Sequence, residues 1–291
     1  MRFDHHDVYV GKDIGGRECA ITPALVSHYE AGTGDQNPWY HDGSPFGAAV
    51  SPALLLHSEV YRDLSWYLPN LVGNLHARQE WQLLHPMMVG ESVRTRSTVV
   101  ERYRKRNRDY IVNEVLITDA AGRWLQRSRT HQSFLADEPV AQDTIVVDKE
   151  REKRSDRRFE VGTGSGEEIA PVSRRITLEM CQAFSGPEKN YHNDRDMARM
   201  LGFPDVVVQG MMSICFVSEI MTRAFGAGWF LGGTLNVNLV NVVWGEDTVV
   251  TRGKVCEQLR EGGKTRVVLD VWCEKPDGTK TVVGRASGLR D

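Results

Sequence analysis

The sequence predicts an α+β protein built from two fused units, each a long antiparallel sheet wrapped around a central buried helix. Three observations carry this expectation: landmarks recur in order in the two halves, each half holds an apolar run too evenly hydrophobic for a surface helix, and each run is followed by long segments of alternating character. The landmarks are explicit. Gly34 falls on Gly186 (186 − 34 = 152), Gly90 on Gly245 (245 − 90 = 155) and Gly122 on Gly278 (278 − 122 = 156). Ser58-Glu59 has its counterpart in Ser218-Glu219. A repeat of that length is an internal duplication of a domain, not a solenoid.

In chain order, each half opens on a polar loop, "GTGDQNPWYHD" (32–42) and "SGPEKNYHND" (185–194). The apolar runs come next, "SPALLLHSEVYRDLSWYL" (51–68) and "QGMMSICFVSEIMTRAF" (209–225). Ser51 followed by Pro52 suits an N-cap and first helical position. Strands are expected at 78–89, 91–103, 108–119 and 122–135, and again at 234–244, 247–259, 264–275 and 280–289. Several alternate apolar and polar residues, as strands with one wet face do, and Asp-Gly and Gly-Gly breaks between them read as hairpins. The stretch 136–168 is polar and mixed in charge, with Gly and Ser. The expected division is a first unit over 1–136, a linker over 137–165 and a second unit over 166–291.

Composition narrows the function classes. The 291 residues are 41% hydrophobic and 26% charged with a net charge of −3, which gives no general case for nucleic acid or an anionic membrane surface. No apolar stretch approaches the roughly 20 residues that span a bilayer. The N-terminal "MRFDHHDVYVGKD" lacks an apolar core and carries acids, so neither a signal nor a transit peptide is expected. Five scattered cysteines without CxxC spacing point to reduced thiols in a cytoplasmic protein, with no disulfide framework and no metal site.

A Gly-Asp-x-Asn-Pro loop ahead of a buried helix, followed by a sheet and then repeated, resembles the hotdog fold of MaoC-like (R)-specific enoyl-CoA hydratases/dehydratases. The likeness is to double-hotdog members whose N-terminal half is dehydratase-like, and it covers nearly the whole chain except the linker. It implies addition or removal of water at the 2,3-position of an acyl thioester. No cofactor is expected beyond coenzyme A as part of the substrate, and the partners expected are that thioester and a further copy of the chain, in a homodimer or higher oligomer. In the family, the loop supplies an Asp and, five residues later, a His. Main-chain N–H groups at the start of the buried helix hold the thioester oxygen, where charge builds up.

Here the pair is split. The first loop has Asp35, Asn37 and Pro38, but Tyr40 stands where the His belongs and His41 comes one later. The second has His192 in place, but Pro187 fills the Asp position. The chemistry is therefore assigned to the second half. His192 is the acid/base, Asn190 orients the water or the His, Gly210 beside Gln209 is the oxyanion donor, Asp194 steadies the loop and Glu188 is a stand-in acid. Asp35, Asn37 and His41 are secondary: turn-forming or capping for the first two, a relic for the third. The two loops are expected at opposite ends of the interface between the units. The basic "RYRKRNR" (102–108) is read as a solvated hairpin in preference to a phosphate grip, and His76, Trp81 and His85 as packing. Trp39, Trp66, Trp229 and Phe230 are candidates for shaping the pocket. Alternatives stay open: a catalytically degenerate hotdog binding subunit that partners another hydratase, an acyl-CoA thioesterase using Glu59 or Glu219, and a hydratase or lyase with a non-CoA substrate.

Overall fold

The structure, a computed structural model, describes residues 8–63, 74–105, 108–135 and 159–290. The first half runs β1 (Asp13–Gly15), β2 (Glu18–Ala20), α1 (Pro23–Thr33), a 3-10 turn (Pro38–Tyr40), α2 (Glu59–Asp63), β3 (Leu75–Leu83), β4 (Ser92–Lys105), β5 (Arg108–Asp119) and β6 (Trp124–Leu135). The second runs β7 (Glu168–Arg175), α3 (Leu178–Ser185), α4 (Arg195–Met200), α5 (Gly210–Phe225), α6 (Ala227–Phe230), β8 (Thr234–Leu239), β9 (Thr248–Glu261), β10 (Lys264–Glu274) and β11 (Lys280–Arg290).

One antiparallel sheet crosses the whole molecule in the order β1-β4-β5-β6-β3-β8-β11-β10-β9-β7, with β2 also on β4. The halves meet where β3 pairs with β8, in the register Arg78↔Asn238 to Gln82↔Thr234. The eight strands read from alternation are all present. The linker stretch 136–158 lies outside the described residues.

The central helix of the second half behaves as its composition demands. Thirteen of the sixteen residues of α5 are buried and only Arg223 is exposed, so the helix has almost no face left for water. Each buried Met, Ile or Phe there stabilises the fold by roughly 1.5–3 kcal/mol.

The first apolar run departs from the expected helix. Ser51 does not cap it: its N–H donates to Met87 O across the Val50↔Met88 bridge, which holds the chain extended. The following bonds, Leu55 N–H to Pro52 O, His57 N–H to Leu54 O and Glu59 N–H to Leu56 O, each close a tight turn of the i to i−3 kind. The Ser58 hydroxyl, 2.6 Å from His57 Nδ1, gives the local chain a further competing bond. Among the described residues of this run, regular α-helix is therefore found at Glu59–Asp63, and 64–73, including Trp66, lie outside them.

Two helices, α1 and α3, come ahead of the loops and were not foreseen. Thr22 and Thr177 cap them, accepting from Leu25 N at 3.2 Å and Met180 N at 3.3 Å. They pack on each other through Gly32, where an added Cβ would stand 3.0 Å from Phe184 Cδ2. This contact fixes where both loops begin.

Candidate active site at the start of the central helix

The second loop is held by its own amides. Asn190 Oδ1 accepts from His192 N at 2.9 Å, and its Nδ2 donates to Ser185 O and Glu188 O. Asn193, buried beside it, donates to the same two carbonyls and accepts from Asn190 N at 2.8 Å. Asn190 thus shapes the loop and orients His192 through the backbone, while its Oδ1, with one bond accepted, keeps a second lone pair. Asp194 caps α4, accepting from Asp196 N and Met197 N at 3.0 Å each, and pairs with Lys189.

His192 is fixed by Val207. Its Nδ1 lies 2.6 Å from Val207 O, while Val207 N–H donates back to Tyr191 O at 3.1 Å. A carbonyl only accepts, so Nδ1 carries the proton and Nε2 has the lone pair. Nε2 has no hydrogen-bond partner among the described residues. Burial lowers the His192 pKa, partly countered by the Val207 bond, so the ring is neutral near pH 7.

Three residues after Val207, α5 begins. Gln209 is its N-cap, with no side-chain cap bond and with Oε1 buried and unpartnered. Gly210 N–H, in the first turn, donates to no described residue, as helix starts allow. A Cβ on Gly210 would lie 2.1 Å from Leu239 Cδ2 and 3.7 Å from His76 Nδ1, so glycine here is what lets Leu239 pack against the start of the helix. The unpaired amides and the positive end of the helix favour a developing oxyanion. Glu188 is exposed, and among the described residues no bond joins its carboxylate to His192.

The first loop occupies the other end of α5. Trp39 reaches within 3.3 Å of a Cβ built on Gly226, the C-cap of that helix, and rests on Phe230. Sixteen residues separate Gly210 from Gly226, about 24 Å of helix. Val50 N–H donates to Trp39 O as Val207 N–H does to Tyr191 O, so Tyr40 is the counterpart of His192. Tyr40 OH donates to Asp35 at 2.7 Å, and both are buried. Asn37 caps the 3-10 turn through Trp39 N. His41 pairs with Glu30 at 2.8 Å in an open cleft of about 280 Å³, away from α5's start. Trp229 and Phe230 are buried core at this far end and do not shape the His192 site.

Asp35 makes a testable contribution to stability. Burial first, then the Glu219 carboxylate, raises its pKa from 3.8 to about 6, against the Tyr40 bond, Arg174 and Arg223. A raised carboxyl favours the folded state fully below pH 3.8, and that advantage is lost as pH rises through about 6. Asp35→Asn should therefore stabilise the protein at pH 7 by on the order of 2 kcal/mol and give no gain at pH 3.5. Urea unfolding across that range measures it; a constant difference would refute the assignment.

Other expectations resolve plainly. Arg104 pairs with Asp109, Arg108 with Ser133 and Arg102 with Val8 O, so these three arginines of the basic stretch are paired within the protein, while 106 and 107 lie outside the described residues. Glu59 and Glu219 are buried and ion-paired, to Arg17 and Arg174 respectively. Among the described residues no helix is long and apolar enough to cross a membrane, and no group of three or more His, Cys, Asp or Glu is placed to hold a metal ion.

A scan against protein-family models finds no match, and neither does a search of curated proteins. Solved structures do match over the whole chain. A MaoC-like dehydratase from Phytophthora capsici superposes with a TM-score of 0.74 at 13% identity, over 99% of this chain and 98% of that one. Another MaoC-like dehydratase gives 0.72 at 14% identity, over 98% of both. A Mycobacterium tuberculosis protein described as a double hotdog gives 0.65 at 13% identity, over 98% and 97%. The likeness is one of fold, and this chain is a double hotdog of the architecture found in MaoC-like dehydratases.

Proposed function

We propose that the protein is a hydratase/dehydratase, a carbon–oxygen lyase that adds or removes water at the 2,3-position of a coenzyme A-linked acyl thioester. The observation that carries this reading is the pairing of His192 with the start of α5. The His192 imidazole has Nδ1–H fixed on Val207 O and Nε2 free, and Val207 stands three residues before the side-chain-free Gly210 that starts α5. Proton abstraction next to a thioester needs this combination, a base with a free lone pair and donors aimed at the oxygen. The test is incubation with trans-2-enoyl-CoA thioesters of graded size, followed by mass spectrometry for gain of water. Turnover of none of them would reject the reading.

A degenerate binding subunit is the second reading, and Pro187 in place of the carboxylate is what favours it. Co-purification with a smaller hydratase, together with no turnover by the isolated chain, would select it. Thioester hydrolysis by Glu59 or Glu219 is disfavoured, because both are only 4% and 1% exposed and already ion-paired.

A further inference from the structure

The second loop lacks its carboxylate, and among the described residues no acid from that loop bonds to His192. A polar chain from the first half reaches the same place. Tyr61, on α2, has its hydroxyl 2.9 Å from His76 Nδ1, on β3. His76 Nε2 is 3.0 Å from Gln79 Oε1, which also accepts from Thr130 Oγ1 at 2.8 Å. The Gln79 Nε2 donates to Glu80 O at 3.2 Å, so the amide has its oxygen toward His76. His76 therefore carries its proton on Nε2, and Nδ1 accepts from Tyr61. Gln79 and Thr130 are fully buried, at 0% exposure each. Gln132, cross-strand neighbour of His76, donates toward the Tyr61 oxygen.

This chain ends at the candidate site. His76 Nδ1 lies 3.7 Å from the place a Cβ on Gly210 would take. Tyr61 is close enough to the Tyr191 phenol for that group to help raise its pKa, after burial, and the Tyr191 ring lies tilted against His192 with centroids 4.0 Å apart. Burial also lowers His76 to about 4, leaving a neutral acceptor at Nδ1. The groups that bear on it are Gln79, Arg78 and His131. The sequence reading took His76 for packing; its bonds to Tyr61 and Gln79 place it in a directed network.

We propose that Tyr61 and His76 form the second proton-transfer unit of the site, in place of the absent carboxylate. The proposal rests on the hydration reading above. In the dehydration direction, the neutral His192 Nε2 takes the C2 proton, and charge gathers on the thioester oxygen at the α5 amides. The C2 electron pair then forms C2=C3 as the C3–O bond breaks, and the departing hydroxide takes the phenol proton of Tyr61, which His76 Nδ1 holds in place. The proton on His192 returns to the Tyr61 phenolate through solvent, so both groups end as they began, and hydration is the reverse of these steps. Tyr61 touches the reacting water; His76 acts through it.

The experiment compares two reactions in one set of variants. Hydration of crotonyl-CoA and trans-2-decenoyl-CoA needs both proton-transfer units. Exchange of the C2 hydrogen of butyryl-CoA or decanoyl-CoA for deuterium, which has no group to eliminate, needs only His192 and the α5 amides. Tyr61→Phe should lose at least about 100-fold in hydration kcat with little change in KM, and keep its C2 exchange within about threefold of wild type. His76→Gln should behave likewise and covers the case in which the Tyr61 variant does not fold. Full hydration in either folded variant overturns the proposal while leaving the hydration reading intact. Parallel loss of hydration and exchange also overturns it, because that pattern marks a collapsed site. Wild type that neither hydrates nor exchanges removes both.

Discussion

Replacing His192 with alanine is expected to lower turnover of an enoyl-CoA substrate by about 10²–10⁴-fold, the range that a positioned proton-transfer group supplies. The effect should fall on kcat, since the imidazole acts on the reacting hydrogen and the α5 amides still hold the thioester oxygen. Stability should change little. The variant loses one hydrogen bond, from Nδ1 to Val207 O, with a net contribution of about 1 kcal/mol. The loop keeps its other ties, since Asn190 and Asn193 bind Ser185 O and Glu188 O independently of the ring. Steady-state kinetics beside a thermal melt separate the two effects, and an active alanine variant would move the chemistry elsewhere.

The largest loss of stability is expected from Arg174→Ala. Glu219 is 1% exposed within α5, and Arg174 contacts both its oxygens, at 2.6 and 3.3 Å. Arg174 also donates to Gly34 O at 3.1 Å and lies over the Phe216 ring. Its removal leaves a buried carboxylate with only Arg223, on the exposed side, as partner. It also takes away a cation that holds the Asp35 pKa down. Breaking a buried ion pair from one side costs about 3–5 kcal/mol, and the remaining Arg223 places this case near the lower figure. Replacing Arg174 and Glu219 together by leucine should recover much of the loss, because no uncompensated charge is then buried. Urea unfolding of the single and double variants decides it; equal losses in both would show that packing, not charge, is what the site needs.

Much of the fold was legible because it depends on patterns within one element. Strands β4, β5, β9 and β10 alternate strongly enough to be placed directly, and α5 is apolar on every side. The helix in the first half was overestimated because its apolar composition matches α5, while the bond from Ser51 N–H to Met87 O that holds its start extended joins residues 36 apart (87 − 51 = 36). The helix α1 was missed because "PALVSHYEAGT" mixes polar and apolar residues, its burial being set by α3 and not by its own periodicity. At the site, the loop motif and Gly210 could be singled out from the sequence through the likeness to MaoC-like hydratases. The Tyr61–His76 bond could not, because it links a helix to a strand through the tertiary fold, and neither residue belongs to a recurring motif.

The junction of β3 with β8 has a further implication. It is made by main-chain hydrogen bonds between opposed strands, which do not depend on which side chains the strands carry. Substitutions can accumulate on either flank without loosening this seam. The two halves can therefore diverge in the polar groups they contribute while the same strand pairing continues to join them.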